Sequence, residues 1–205
     1  MKPEENASQF QCPRGFRGWL AGQVMAWWNS GINRLTLEMM DLTPRDHVLE
    51  IGFGPGTLIA KIAARAVDGY VAGIDRSATM VAAARRRNRK AIDRGRVELQ
   101  PGEIARIPYP DARFDKVCSV NTIYFWSDPE EAAREIARVL RENGQLALAF
   151  RGAESSQESV PAKTGLGAYD IDAAKGLLTR AGFHDLTTEI RRLRTMTAVC
   201  IVGRK

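Results

Sequence analysis

The chain is poor in several residue types and patterns that would point to common classes of protein. No apolar run approaches the ~18–20 residues that a membrane-spanning helix needs, so no such span is expected. Cysteine occurs three times, at Cys12, Cys118 and Cys200, odd in number and far apart. That spacing supports no disulfide framework, and with two of the three inside predicted strands, reduced and packed thiols are expected. The sequon Asn6-Ala7-Ser8 then reads as a chance match. Residues 1–6 carry early acids and no apolar core. A secretory signal is therefore not expected, and a cytoplasmic location is. Histidine is present only at His47 and His184, which leaves little room for a histidine base.

What is present suits one well-buried domain: 205 residues, 44% of them hydrophobic and 26% charged. Net charge is +6, much of it in Arg85-Arg-Arg-Asn-Arg-Lys90. Such a run would suit nucleic acid or an anionic membrane. No aromatic residue is interleaved for base stacking, so a solvated outer helix face is the preferred reading.

Residues 1–15 read as a loose tail. Apolar spacing predicts a helix from Phe16 to about Trp28, a break at Asn29-Ser-Gly31, and a second helix from Asn33 to Asp41. Strands and helices then alternate. Strands are expected at 47–51, 70–74, 96–100, 114–120 and 145–150. Helices are expected at 57–66, from a Ser77 cap to about Ile92, and from an Asp128 cap to Arg141. Residues 151–168 read as a mobile loop, and Asp170 caps a helix ending at Ala181-Gly182. Two runs, 184–190 and 196–202, suit an antiparallel pair closing the sheet. This alternation predicts an α/β fold: a doubly wound, mostly parallel seven-stranded sheet of Rossmann-like type, with the last strand antiparallel. Residues 1–42 form an N-terminal tail and helical cap on a domain spanning 43–205.

The stretch His47-Val-Leu-Glu-Ile-Gly-Phe-Gly-Pro-Gly56 carries most of the chemistry. A buried strand runs into Gly52, Gly54 and Gly56, and a helix starts at Thr57. Backbone is thereby bared to the polar end of a ligand. Asp75 closes the second strand nineteen residues beyond Gly56 and offers two acceptors to a ribose diol. A dinucleotide fold wants G-x-G-x-x-G, but that third position is Thr57. A phosphate-binding loop wants a lysine after the glycines, and none follows.

Glu50-Ile-Gly52-Phe-Gly54-Pro-Gly56 resembles the first motif of the class I S-adenosylmethionine-dependent methyltransferases, in the small-molecule branch. Gly73-Ile-Asp75-Arg-Ser77 and Gly102-Glu103-Ile104 are similar to its second and third motifs. The lead into strand 4 from Ile107 to Asp115 resembles the family too, as do Asn121-Thr-Ile-Tyr124-Phe-Trp126 and Val139 to Leu146. The resemblance implies S-adenosyl-L-methionine as cofactor, with S-adenosyl-L-homocysteine as product. The three glycines and Glu50 would serve its methionine end, and Asp75 its ribose. Arg76 and Met80 would cover the adenine, Glu103 would accept from the adenine amine, and Asn121 would stand at the switch-point crevice.

Methyl transfer needs positioning, desolvation and a correctly protonated nucleophile. Both histidines open strands, at the end away from the crevice, so neither is expected to act. Tyr124 is the candidate positioning residue. Tyr124 and Trp126, with Phe125 between them, would wall the acceptor side. Trp19, Trp27 and Trp28 either line an apolar acceptor pocket or pack the cap onto the sheet. The expected acceptor is a small, partly apolar molecule, with no metal and no nucleic acid, on a monomer or homodimer. A peripheral lipid N-methyltransferase and a non-catalytic cofactor-binding module are the alternatives. Membrane contact through the N-terminal helix is conceivable but not favoured.

Overall fold

The computed structural model describes residues 29–152, 169–194 and 196–205. The expected cap helix with Trp19, Trp27 and Trp28, the tail, Cys12 and nearly all of the 151–168 loop lie outside those residues.

Seven strands form one sheet: β1 (His47–Ile51), β2 (Tyr70–Asp75), β3 (Val97–Pro101), β4 (Phe114–Val120), β5 (Leu140–Arg151), β6 (His184–Arg192) and β7 (Thr197–Arg204). Their order is β3-β2-β1-β4-β5-β7-β6. The first five are mutually parallel, and β7 runs antiparallel to both β5 and β6. The order reverses between β1 and β4, which opens a crevice at the carboxyl ends of those strands.

Alternation along the central strands sends side chains to both faces, and both faces are covered. Val48, Cys118 and Ala147 point into one apolar layer. It is filled by α1 (Ser30–Met39), α2 (Thr57–Ala63) and α3 (Ala78–Arg87). Leu49, Val117 and Leu146 point into the other, filled by α5 (Pro129–Val139) and α6 (Ile171–Arg180). The short α4 (Arg89–Asp93) contributes no buried residue. No helix among the described residues is long and apolar enough to cross a membrane.

Several element limits differ from the spacing-based expectation, each for a tertiary reason. The helix expected at Asn33 starts at Ser30 and includes Gly31, where Leu193 comes within 2.7 Å of the place a Cβ would occupy and so favours glycine. The helix expected through Ile92 breaks at Asn88, whose buried amide is drawn into other bonds. The helix expected to reach Arg141 stops at Val139, since Leu140 already pairs with Phe114 in the sheet. Asn143, at φ 61, carries β5 through the segment read as a helix stop.

Candidate active site

The first strand ends in a turn built almost wholly of backbone. Gly54, at φ 53, has no atom of any described residue but its chain neighbours within 4 Å of the place a Cβ would occupy. Its left-handed conformation favours glycine while its surroundings leave room for a ligand. Gly56, at φ 73, caps the start of α2, and a Cβ there would stand 2.7 Å from Ala84 Cβ. Behind the turn, Asn88 Nδ2 donates to Gly56 O at 3.1 Å and Arg87 Nε donates to Pro55 O at 2.9 Å. α3 thus holds the turn from the side away from the crevice.

Asp75 ends β2 at the mouth of the crevice. Its two oxygens accept from the Gly54 and Ser77 amides, each at 2.8 Å. Burial pushes its pKa up, while those two amides and Arg76 pull it down. Each oxygen keeps a second lone pair, so a diol can still be bound.

Glu50 is buried in the strand beneath, and its Oε2 has no hydrogen-bond partner among the described residues. Burial raises its pKa well above the ordinary glutamate value, and the nearby Asp75 charge raises it further. A backbone hydrogen bond at Ile59, in the first turn of α2, opposes both. The crevice encloses a cavity of about 370 Å³, inside the range of small-molecule sites. Among the described residues four buried side-chain polar atoms lack partners, and three of them belong to residues lining this cavity: Glu50 Oε2, Thr57 Oγ1 and Asn121 Oδ1. Unpaired buried polar atoms are rare in folded proteins, so their gathering in one cavity marks a place for a polar ligand.

The opposite wall comes from the end of β4. Asn121 is held at φ 55, and its Nδ2 donates to Asn29 Oδ1 at 3.0 Å. Asn29 and Asn33, at the start of α1, line the same cavity. Trp126 Nε1 donates to Thr122 Oγ1 at 3.1 Å, which fixes the indole beside Phe125 on the cavity wall. Gly102, Glu103 and Ile104 form the third side. Their connection is tied to α5 by Arg138, which donates to the carbonyls of Ile107 and Tyr109, each at 2.9 Å, and pairs with Glu135 and Asp111.

The structure therefore brings Glu50, Gly52, Gly54, Asp75, Arg76, Met80, Gly102, Glu103, Ile104, Asn121 and Trp126 around one cavity, while Gly56, also expected there, faces Ala84 and Asn88 of the neighbouring helix. Tyr124 is not among the lining residues. Its hydroxyl accepts from Arg151 N at 2.6 Å and donates to Arg151 O at 3.1 Å, and its ring meets Tyr169. Burial pushes the phenol's pKa up, so it stays protonated. Among the described residues Tyr124 does not line this cavity, contrary to the expectation: its hydroxyl is spent on β5 and its ring packs on Tyr169. Asn29, Asn33 and Thr57 were missed from sequence. Thr57 was legible as the first residue of the helix, whereas nothing local in Asn29 announces a partner 92 residues away.

A family model described as a methyltransferase domain matches residues 49–148. The chain is 32% identical over 187 residues to an uncharacterized methyltransferase, YdaC, of Bacillus subtilis strain 168, covering 91% of this chain and 98% of that protein. This is a class I S-adenosylmethionine-dependent methyltransferase. A SAM-dependent methyltransferase from Aquifex aeolicus superposes on this methyltransferase with TM-score 0.69 at 21% identity, over 84% of this chain and 88% of that one. Haemonchus contortus phosphoethanolamine N-methyltransferase 2, solved with S-adenosyl-L-methionine, superposes with TM-score 0.70 at 18% identity, over 86% of this chain and 52% of that one. Both likenesses bear on the fold. The methyltransferase uses S-adenosyl-L-methionine as its cofactor.

Proposed function

We propose that this methyltransferase acts on a small, partly apolar acceptor, and that it works mainly by positioning and desolvation. The observation that carries this reading is the make-up of the cavity. Its described ionisable lining residues are Glu50, Asp75, Arg76 and Glu103, without a histidine, cysteine, lysine or tyrosine. His47 and His184 open β1 and β6, at the opposite ends of those strands. Apolar walls come from Ile104, Val120, Phe125 and Trp126. Such walls strip water from an acceptor and hold it in line, which suits a displacement needing little proton chemistry.

The residues present fit the cofactor. Glu50 Oε2, buried and unpartnered, suits an ammonium group. The open space at Gly54 lets an amino-acid moiety lie against backbone. Asp75 suits the ribose diol, Met80 and Arg76 the adenine faces, and Glu103 the adenine amine. When bound, the cofactor supplies an electrophilic methyl group on a sulfonium. The chain's own part is to fix the nucleophile near that group and keep water out.

Titration calorimetry with S-adenosyl-L-homocysteine tests the site assignment. Asp75→Ala is expected to weaken binding by roughly 30- to 100-fold, the loss of about 2–3 kcal/mol of charged hydrogen bonding. Unchanged affinity would sink the assignment. Incubation with methyl-labelled cofactor and a metabolite extract tests the reaction. A labelled product soluble in organic solvent is expected. Absence of any labelled product would favour a binding module without transfer.

A further inference from the structure

The basic run from Arg85 to Lys90 is only partly a solvated face. Arg85 turns inward and donates to Leu99 O, and Arg87 reaches Pro55 O. The bend at Asn88 then brings Arg86, Arg87, Arg89 and Lys90 together with Arg96 over a surface groove of about 470 Å³ between α2 and the α3–α4 bend. The floor is Ala60, Ala63, Ala64 and Ala91, small enough to let a ligand lie close. No carboxylate is among its described lining residues. Arg86, Arg89 and Lys90 make no ion pair with any described residue, and all three are exposed. Arg86, Arg89 and Lys90 line one groove on the two sides of that bend, and like charges gathered there repel one another. A concave surface of one sign concentrates counter-ions.

We propose that this groove is a second binding site, for a compact phosphate-bearing anion, coupled to the cofactor turn through Arg87. Arginine forks suit phosphate oxygens, and Arg86, Arg89 and Lys90, beside an Arg87 and an Arg96 that also donate to backbone carbonyls, suit a di- or oligophosphate. No aromatic side chain is among its described lining residues for bases to stack on, which sets it apart from a single-strand nucleic-acid track. Arg87 lines the groove and also holds the Pro55 carbonyl. An anion that draws its guanidinium outward loosens the glycine turn, and by reciprocity cofactor binding weakens the anion site. The coupling rests on the cofactor reading, but the anion site does not.

The test is titration calorimetry of pyrophosphate into the full chain at low salt. Saturable binding is expected, weakened by added salt and at least about tenfold weaker in the double variant Arg86→Glu, Lys90→Glu. A control, Arg134→Glu with Arg194→Glu, removes the same charge at exposed positions elsewhere and is expected to bind within about twofold of the native chain. Absence of binding, or equal loss in both double variants, overturns the site. A short RNA duplex that binds through Arg86 and Lys90 where pyrophosphate does not would also overturn it, in favour of a nucleic-acid surface. For the coupling, S-adenosyl-L-homocysteine affinity is measured with and without saturating pyrophosphate. An unchanged affinity overturns the coupling and leaves the site standing. Failure of S-adenosyl-L-homocysteine to bind even without pyrophosphate would instead count against the cofactor assignment.

Discussion

At Glu50 the fold buries a carboxyl group whose Oε2 accepts nothing, beside the negative Asp75. Two physical facts follow. The group is held neutral more readily than a free glutamate, and its Oε2 leaves a place for a cation. Because its folded pKa is raised, an unfolded chain gives up the proton at lower pH than the folded one does. Stability from this group is therefore full below the ordinary value of 4.5 and is lost as pH rises toward the folded value. The slope approaches about 1.4 kcal/mol for each pH unit. Glu50→Gln is expected to remove that slope, raise the melting temperature near neutral pH without added cofactor, and weaken cofactor binding. Thermal melts from about pH 5 to about pH 8 check the first two effects, and calorimetry checks the third. A variant less stable than the native chain at every pH would contradict the account.

Among the elements, α5 shows how local signals and the site divide the work. Asp128 Oδ1 accepts from Glu131 N at 2.9 Å, Pro129 stands in the first turn, and Glu130 and Glu131 face the positive end of the helix. Every one of these is readable from sequence. The cap lies outside the cavity, so Asp128→Ala is expected to lower stability by about 1 kcal/mol and leave cofactor affinity unchanged. Denaturant unfolding and calorimetry on the same variant separate the two. The far end of α5 behaves differently. Arg138 spends its guanidinium on the β3–β4 connection, and Leu140 leaves the helix for the sheet. Helical periodicity ran past that point, since only the neighbouring strand supplies the competing bonds. The α3–α4 break has the same cause. Asn88 is an ordinary helix residue until its amide finds Gly56 O.

For the molecule as a whole, the sheet order puts β1 and β4 at the centre, parallel-paired on both edges and covered on both faces. β6 is an edge strand with half-exposed residues along it, and Ile190 is among its exposed positions. Hydrogen exchange is expected to be slowest in β1 and β4, and markedly faster in β6 and in α4, which buries nothing. Equal protection of β6 and β4 in a mass-spectrometric exchange experiment would refute that ranking.

By itself the sequence determined the order of elements, the doubly wound sheet, the glycine turn and the placing of Asp75. Those depend on short-range facts: strand and helix periods, left-handed backbone that suits glycine, and a strand's end. Only the tertiary structure decided that Asn29 meets Asn121, that Tyr124 is taken up by Arg151, and that Arg86 and Lys90 share a groove with Arg96. Each of these joins residues through a hydrogen bond or a field whose partner lies on another element. No local spacing encodes such a partner, because it exists only once the sheet has put the two elements side by side.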